Sequence, residues 1–212
     1  MSMIYRNLGL VDFLDTYRNM RYFTQTRTEE TADEIWFCEH YPVYSLGLST
    51  KKENLLTVKN YPVVSTDRGG DVTYHAPGQL VAYPLISLRR YQFYPKDYIL
   101  WLQQSVIQLL SYYGINGLTL LNIPGVFIKK KGGEGTFKDL SKIASFGIKI
   151  SKGYTYHGLS INVSLNLSGF SKINPCGYKG LRNTSLKECG IQVSTSTLSQ
   201  QLKNIFEERF VE

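Results

Sequence analysis

Between Asp33 and Ile86 the chain passes through five strand-like segments in succession, "DEIWFCEH", "PVYSLG", "PVVSTD", "DVTYHAP" and "GQLVAYPLI", with no helical period between them. Successive parallel strands need a long crossover, usually a helix, so this order excludes strict βαβ alternation. The helices lie outside the run. "LVDFLDTYRNMRYFTQ" (10–25) has apolar residues at helical spacing and follows a strand near "MIYRNL". "PKDYILWLQQSVIQLLSYY" (95–113) is the clearest helix, with a proline tolerated at its start and Gly114 to end it. "GVFIKK", "KIASFGIKIS" and "YTYHGLSINV" return to strand texture. "STSTLSQQLKNIFEERFVE" closes the chain as a helix whose Ser and Thr residues can cap its start. The pattern predicts an α+β fold, a mixed β-sheet flanked by helices, in a single domain over 1–212.

A composition of 42% hydrophobic and 13% aromatic residues is enough to build a sizeable core. The chain has no apolar run of about eighteen residues, and "MSMIYRNLGLVDF" lacks the basic start and apolar stretch of a signal peptide. The expectation is a soluble, cytoplasmic protein without a membrane partner. Cys38, Cys176 and Cys189 form no CxxC and cannot all pair, so free thiols are expected. A formal charge of +7 favours an acidic partner. The bases are spread along the chain, and no homeodomain, zinc-finger or RNP-like motif accompanies them, which argues against nucleic acid and for an acidic protein. The densest cluster, "IKKKGG" (128–133), makes Lys129, Lys130 and Lys131 candidate docking cations, or else a solvated turn.

Three stretches carry chemistry. In "INPCGY" (173–178), Cys176 stands between a proline that fixes its own φ and a glycine that permits almost any, which suits a shaped loop better than a core. In "LSKIASFGIKIS" (140–151), Lys142 lies in a small and apolar strand context. A lysine partly withdrawn from water gives up its proton more readily, so Lys142 is a candidate base; the alternative is an outward-pointing strand lysine. In "TDRGGDVTYHAPGQ" (66–79), Gly69 and Gly70 either let a ligand approach the backbone or turn a hairpin that puts Thr73 and His75 on one face. The stretch is not a Walker loop. His40, His75 and His157 are each isolated, and without ligand spacing around them no metal site is indicated.

"EHYPVYSLG", "RGGDVTYHAPGQLVAYPL", "KIASFGIKIS", "YTYHGLSINV" and "NPCG" occur in the order of one family, and over about 35–180 the chain resembles the octanoyltransferases of lipoate biosynthesis. The resemblance implies a fold related to the lipoate and biotin protein ligases. It also implies transfer of an octanoyl group from octanoyl-acyl carrier protein to a lysine of lipoyl domains, those of 2-oxo acid dehydrogenase E2 subunits and the glycine cleavage H protein. No cofactor and no ATP would be needed. By the same resemblance Cys176 is the nucleophile that holds the acyl thioester and Lys142 activates it. The segments implied to bind the acyl substrate are Arg68, Gly69, Gly70, Asp71, Val72, Thr73, Tyr74 and His75; then Ser145, Phe146 and Gly147; then Gly158, Leu159 and Ser160. Backbone N–H groups near Gly147 or Gly177 are candidates for an oxyanion site. The chain departs from the family pattern at Ala76, where glycine is usual, and in "KKKGGEGTFKDL" before Lys142. An ATP-dependent lipoate or biotin ligase is the alternative, but it would need no nucleophilic cysteine. A non-catalytic binder on the same fold is a third reading.

Overall fold

A computed structural model describes residues 3–58, 60–130 and 133–210. Strand β1 (Ile4–Val11) leads into helix α1 (Phe13–Thr26), whose first turn is capped by the Asp12 carboxylate accepting from the Asp15 N–H. Strands β2 (Glu34–His40), β3 (Val43–Leu46), β4 (Val63–Ser65), β5 (Thr73–His75) and β6 (Gln79–Leu85) follow without a helix longer than one turn, as the pattern predicts. Helix α2 (Pro95–Ser111) precedes β7 (Gly117–Leu120), β8 (Ile123–Lys129), β9 (Leu140–Ser151), β10 (Tyr154–Asn162) and the short β11 (Arg182–Asn183). Helix α3 (Thr195–Phe210) ends the described chain.

The strands form two sheets rather than the one expected. The larger is mixed, in the order β1-β2-β6-β10-β9-β8-β7, with β11 continuing along β9 beyond the end of β10. The smaller is β4-β3-β5, parallel on one side and antiparallel on the other. Because β4 and β5 both pair with β3, the Gly69-Gly70 stretch between them is not a hairpin turn. The Gly69 N–H donates instead to the Ile148 carbonyl of β9 (3.0 Å), and the Gly70 carbonyl accepts from the Ser49 N–H (3.1 Å), which stitches the two sheets together.

Period-two alternation sorts the central strands between two cores. Ile35, Phe37, Leu80 and Ala82 face Tyr98, Leu102 and Val106 of α2 and Leu198, Leu202 and Phe206 of α3. Trp36, Cys38, Val81 and Tyr83 face the other way, against Phe13, Tyr17 and Met20 of α1. A third cluster, with Tyr44, Tyr74, Phe170 and Ile173, fills the small sheet. Between the α1 face of the large sheet and the edge of the small one lies the cavity described next.

Candidate active site

Pro175, Cys176 and Gly177 make a single tight turn in which Cys176 takes a left-handed conformation (φ 56°, ψ 20°), followed by Gly177 at φ 77°. A non-glycine residue held there costs roughly 1–3 kcal/mol and persists only when its surroundings determine it. Here the Gly177 N–H donates to the Asn174 carbonyl (2.9 Å) and the Asn174 N–H to the Asn54 carbonyl (2.9 Å). Asn54 in turn donates through its side chain to Asp71 Oδ2 (2.6 Å). The Gly177 N–H is therefore occupied by Asn174, which corrects its expected place among the oxyanion donors.

Lys142 reaches the same point from β9. Its strand slips register there: Ala144 opposes Val126 and Lys142 opposes Phe127, leaving Ile143 as an extra residue. Such a bulge re-aims the adjacent side chain. Lys142 is 1% exposed, which replaces the outward-pointing alternative. Its Nζ donates to the Pro124 carbonyl (2.6 Å) and to Cys176 Sγ (2.8 Å). Gly125 makes room for it, since a Cβ there would lie 2.6 Å from Lys142 Cε. From the other side the Thr184 N–H holds the Lys142 carbonyl (2.9 Å).

Cys176 opens onto a cavity of about 370 Å³. Phe13, Val72, Val81, Phe146 and Leu159 give it apolar walls, and Tyr83, Tyr178 and Pro124 complete them near the sulfur and on the α1 side. One wall holds a buried cation. Arg68 donates through Nη2 to the Ser45 carbonyl (2.6 Å), through Nε and Nη2 to Ser45 Oγ, and through Nη1 to the Gly69 carbonyl (3.0 Å). Among the described residues it has no ion-pair partner. Burial pushes its guanidinium down to about 10, with the Cys176 sulfur, Tyr83 and Asp71 pushing back, so it remains charged at neutral pH. Gly147 lacks a side chain where this arginine passes, and a Cβ there would meet Arg68 Cδ at 2.8 Å.

The floor is a chain of fixed hydrogen-bond directions. Gln79 Nε2 donates to the Tyr74 carbonyl (3.2 Å) and Asn162 Oδ1 (3.0 Å), which turns its Oε1 to His75 Nδ1 (2.7 Å). His75 thus carries its proton on Nδ1 and accepts at Nε2 from Ser45 Oγ (3.2 Å), whose oxygen lone pairs serve Arg68. Burial pushes His75 down to about 3, so it stays neutral. Beside it Asp67 accepts from Tyr17 Oη (3.0 Å), His157 Nε2 (3.0 Å) and Tyr156. Burial pushes the Asp67 carboxyl up, but these donors outweigh it and hold it well below the usual range. His157 itself takes a left-handed φ of 56° to reach Asp67, and burial depresses its basicity.

Of the residues expected to bind substrate, Arg68, Gly70, Asp71, Val72, Thr73 and His75 line the cavity, as do Ser145, Phe146, Gly147, Gly158, Leu159 and Ser160. Two do not. Tyr74 alternates to the opposite face of β5 and packs in the small-sheet core against Tyr44 and Phe170. Gly69 serves the inter-sheet bond to Ile148. Ala76 is buried, and the positive φ of its turn falls at Gly78 (87°), so position 76 places no backbone demand for glycine. The expected docking cations differ in fate: Lys130 donates to Glu188 Oε2 (3.1 Å) and Thr184 Oγ1 (2.9 Å), Lys129 is exposed, and Lys131 lies outside the described residues. Asn54 and the Asp67–Tyr17–Tyr156 cluster had no motif to announce them.

Residues 13–207 match the family described as the lipoyl protein ligase A/B catalytic domain. The chain is 42% identical to the octanoyltransferase of Polaromonas naphthalenivorans, over 95% of this chain and 97% of that one. It is 45% identical to the octanoyltransferase of Laribacter hongkongensis, over 93% and 90%. In fold it is similar to a bipartite lipoate protein ligase from Thermoplasma acidophilum, with a TM-score of 0.75 and 14% identity, covering 99% of this chain and 84% of that one.

Proposed function

This chain belongs to the octanoyltransferase family, acyltransferases on the lipoyl protein ligase A/B catalytic domain, and we propose that it moves an octanoyl group from octanoyl-acyl carrier protein to a lysine of a lipoyl domain through a thioester on Cys176. The observation that carries this reading is the 2.8 Å contact between Lys142 Nζ and Cys176 Sγ at the mouth of an apolar cavity. An unassisted thiol is only a few per cent thiolate at neutral pH. A base in hydrogen-bond contact either takes the thiol proton as the donor arrives or already holds a thiolate as an ammonium partner. The buried Arg68 cation favours the negative sulfur in both cases.

The first half-reaction forms a bond from Cys176 sulfur to the donor carbonyl carbon. The tetrahedral intermediate then expels the carrier's thiolate, which takes the proton held by Lys142. In the second, the neutral amine of the acceptor lysine attacks the Cys176 thioester, Cys176 leaves as thiolate, and Lys142 accepts the amine's proton. Thioester exchange followed by amide formation runs downhill without ATP. The cavity walls take the hydrocarbon tail; at about 0.8 kcal/mol per methylene, burying seven carbons contributes roughly 6 kcal/mol before the cost of ordering the chain. The lipoyl domains of 2-oxo acid dehydrogenase E2 subunits and the glycine cleavage H protein are the acceptor class.

The test is incubation with octanoyl-loaded carrier protein in the absence of ATP and acceptor, followed by peptide mass spectrometry. The expected result is an octanoyl thioester on Cys176 that disappears when a lipoyl domain is added. A chain that stays unacylated under these conditions, yet acylates the lipoyl domain from free octanoic acid and ATP, is a ligase instead.

A further inference from the structure

Cys176 has a second neighbour on its other side. An open groove of about 790 Å³ shares Ser49, Asp71 and Cys176 with the acyl cavity and runs outward over Asn54, Leu56, Asn174 and Lys179. Its chemistry is unlike that of the cavity. The two segments that build its walls, 49–56 and 172–179, carry Lys51, Lys52, Lys172 and Lys179 against Glu53 alone. All four lysines are exposed, and none forms an ion pair among the described residues. Asp71 in the groove wall brings the balance to four ammonium groups against two carboxylates, and its oxygens accept from Val72 N–H (2.6 Å) and Asn54 Nδ2 (2.6 Å). Leu56 is half exposed with no cover, and the Asn54 and Asn174 amides stand beside the sulfur.

We infer that this groove binds the phosphopantetheine arm of the thioester donor, with Lys51 and Lys179 receiving its phosphate. The inference rests on the donor reading given under Proposed function. The arm is a thiol followed by two amides, a branched apolar segment and a phosphate dianion. The groove offers the matching set: a nucleophile at one end, carboxamides beside it, an uncovered leucine, and unpaired ammonium groups. The Cys176 turn divides the donor at its reacting bond, with acyl chain on one side and thiol-bearing arm on the other. The shared Cys176 then makes the carbonyl the only part of the donor that sits at the junction. This places the donor's charge recognition at Lys51 and Lys179 and away from the 129–131 cluster, where Lys130 is spent on Glu188.

The test compares two small donors that differ by one phosphate, octanoyl-pantetheine and octanoyl-4′-phosphopantetheine, by the second-order rate of Cys176 acylation in the full chain. Wild type is expected to prefer the phosphorylated donor by about tenfold, equivalent to about 1.4 kcal/mol. In Lys51→Gln/Lys179→Gln the preference should collapse toward one, while Lys129→Gln keeps it. A wild type without preference, or a double variant that retains it, overturns the inference. So does a double variant impaired only with whole carrier protein, which would assign the lysines to the carrier's surface, or impaired only in transfer to the lipoyl domain, which would assign the groove to the acceptor. If no thioester donor acylates wild-type Cys176, the donor reading itself has failed and the groove loses its occupant with it.

Discussion

Cys38 lies 3.5 Å from His40 Nε2 beneath α1, and Cys176 lies 2.8 Å from Lys142 Nζ at the cavity mouth. Both are a thiol beside a nitrogen base, yet their surroundings point them to opposite uses. His40 Nδ1–H donates to the Val11 carbonyl (3.0 Å), and its Nε2 already accepts from Tyr83 Oη (2.7 Å), so no lone pair is left for a thiol proton. Burial pushes the Cys38 thiol far up and His40 down to about 4. Ionising the pair would put two charges into the core with no further partners to satisfy them. Cys176 is instead half-buried, on a turn open to both the cavity and the groove, and the Arg68 cation acts on its sulfur. Proximity of sulfur and nitrogen is thus not what separates the two pairs. Access and the sign of the surrounding charge do.

The comparison breaks most directly by removing each sulfur. Cys176→Ala should lose acyl-enzyme entirely and transfer by at least ~10³-fold, because no other group replaces the nucleophile. Cys38→Ala should keep transfer and lose about 1 kcal/mol of stability, read by denaturant melting. Next in size, Lys142→Met keeps the volume of the buried stem and removes the base, and should slow Cys176 acylation by ~10²–10⁴-fold without unfolding the chain. Gly125→Ala should cost about tenfold in the same assay by displacing Lys142, since the new Cβ would stand 2.6 Å from Cε.

A further expectation concerns stability. His40 and His75 are held at about 4 and about 3, below the free value of 6.5. Between roughly pH 4 and 6.5 the unfolded chain therefore binds more protons than the folded one, and stability falls as pH falls. The slope approaches about 1.4 kcal/mol per pH unit for each histidine. Chemical denaturation at several pH values should show stability level above pH 7 and falling below 6; a profile flat to pH 4 would mean that neither histidine is held neutral by the core.

The helices and long strands were legible because apolar spacing is local. The helix predicted over 95–113 is Pro95–Ser111, and the five-segment run is β2 to β6. Which strands share a sheet was not legible. The three- and four-residue strands β3, β4 and β5 have the same texture as the long ones and reveal their separate pairing only in three dimensions. β7 escaped notice because it is four residues long and begins at a glycine. At the site, the Pro-Cys-Gly sequence marked Cys176 as part of a shaped loop rather than of the core, and it sits on a tight turn. The inward turn of Lys142 depends on a register slip opposite β8, which no spacing within β9 encodes. Asp67 stood as the last residue of the strand-like "PVVSTD", and its three donors come from α1 and β10, some 50 to 90 positions away.

The most direct measurement follows alkylation of each cysteine separately, by iodoacetamide and peptide mass spectrometry, in the native wild type and in Lys142→Met. Cys176 should react fastest, its rate should drop in Lys142→Met, and Cys38 should stay protected in both until the fold opens. Equal rates at Cys176 and Cys38, or a Cys176 rate indifferent to Lys142, would contradict the account that Lys142 and its surroundings make Cys176 the nucleophile.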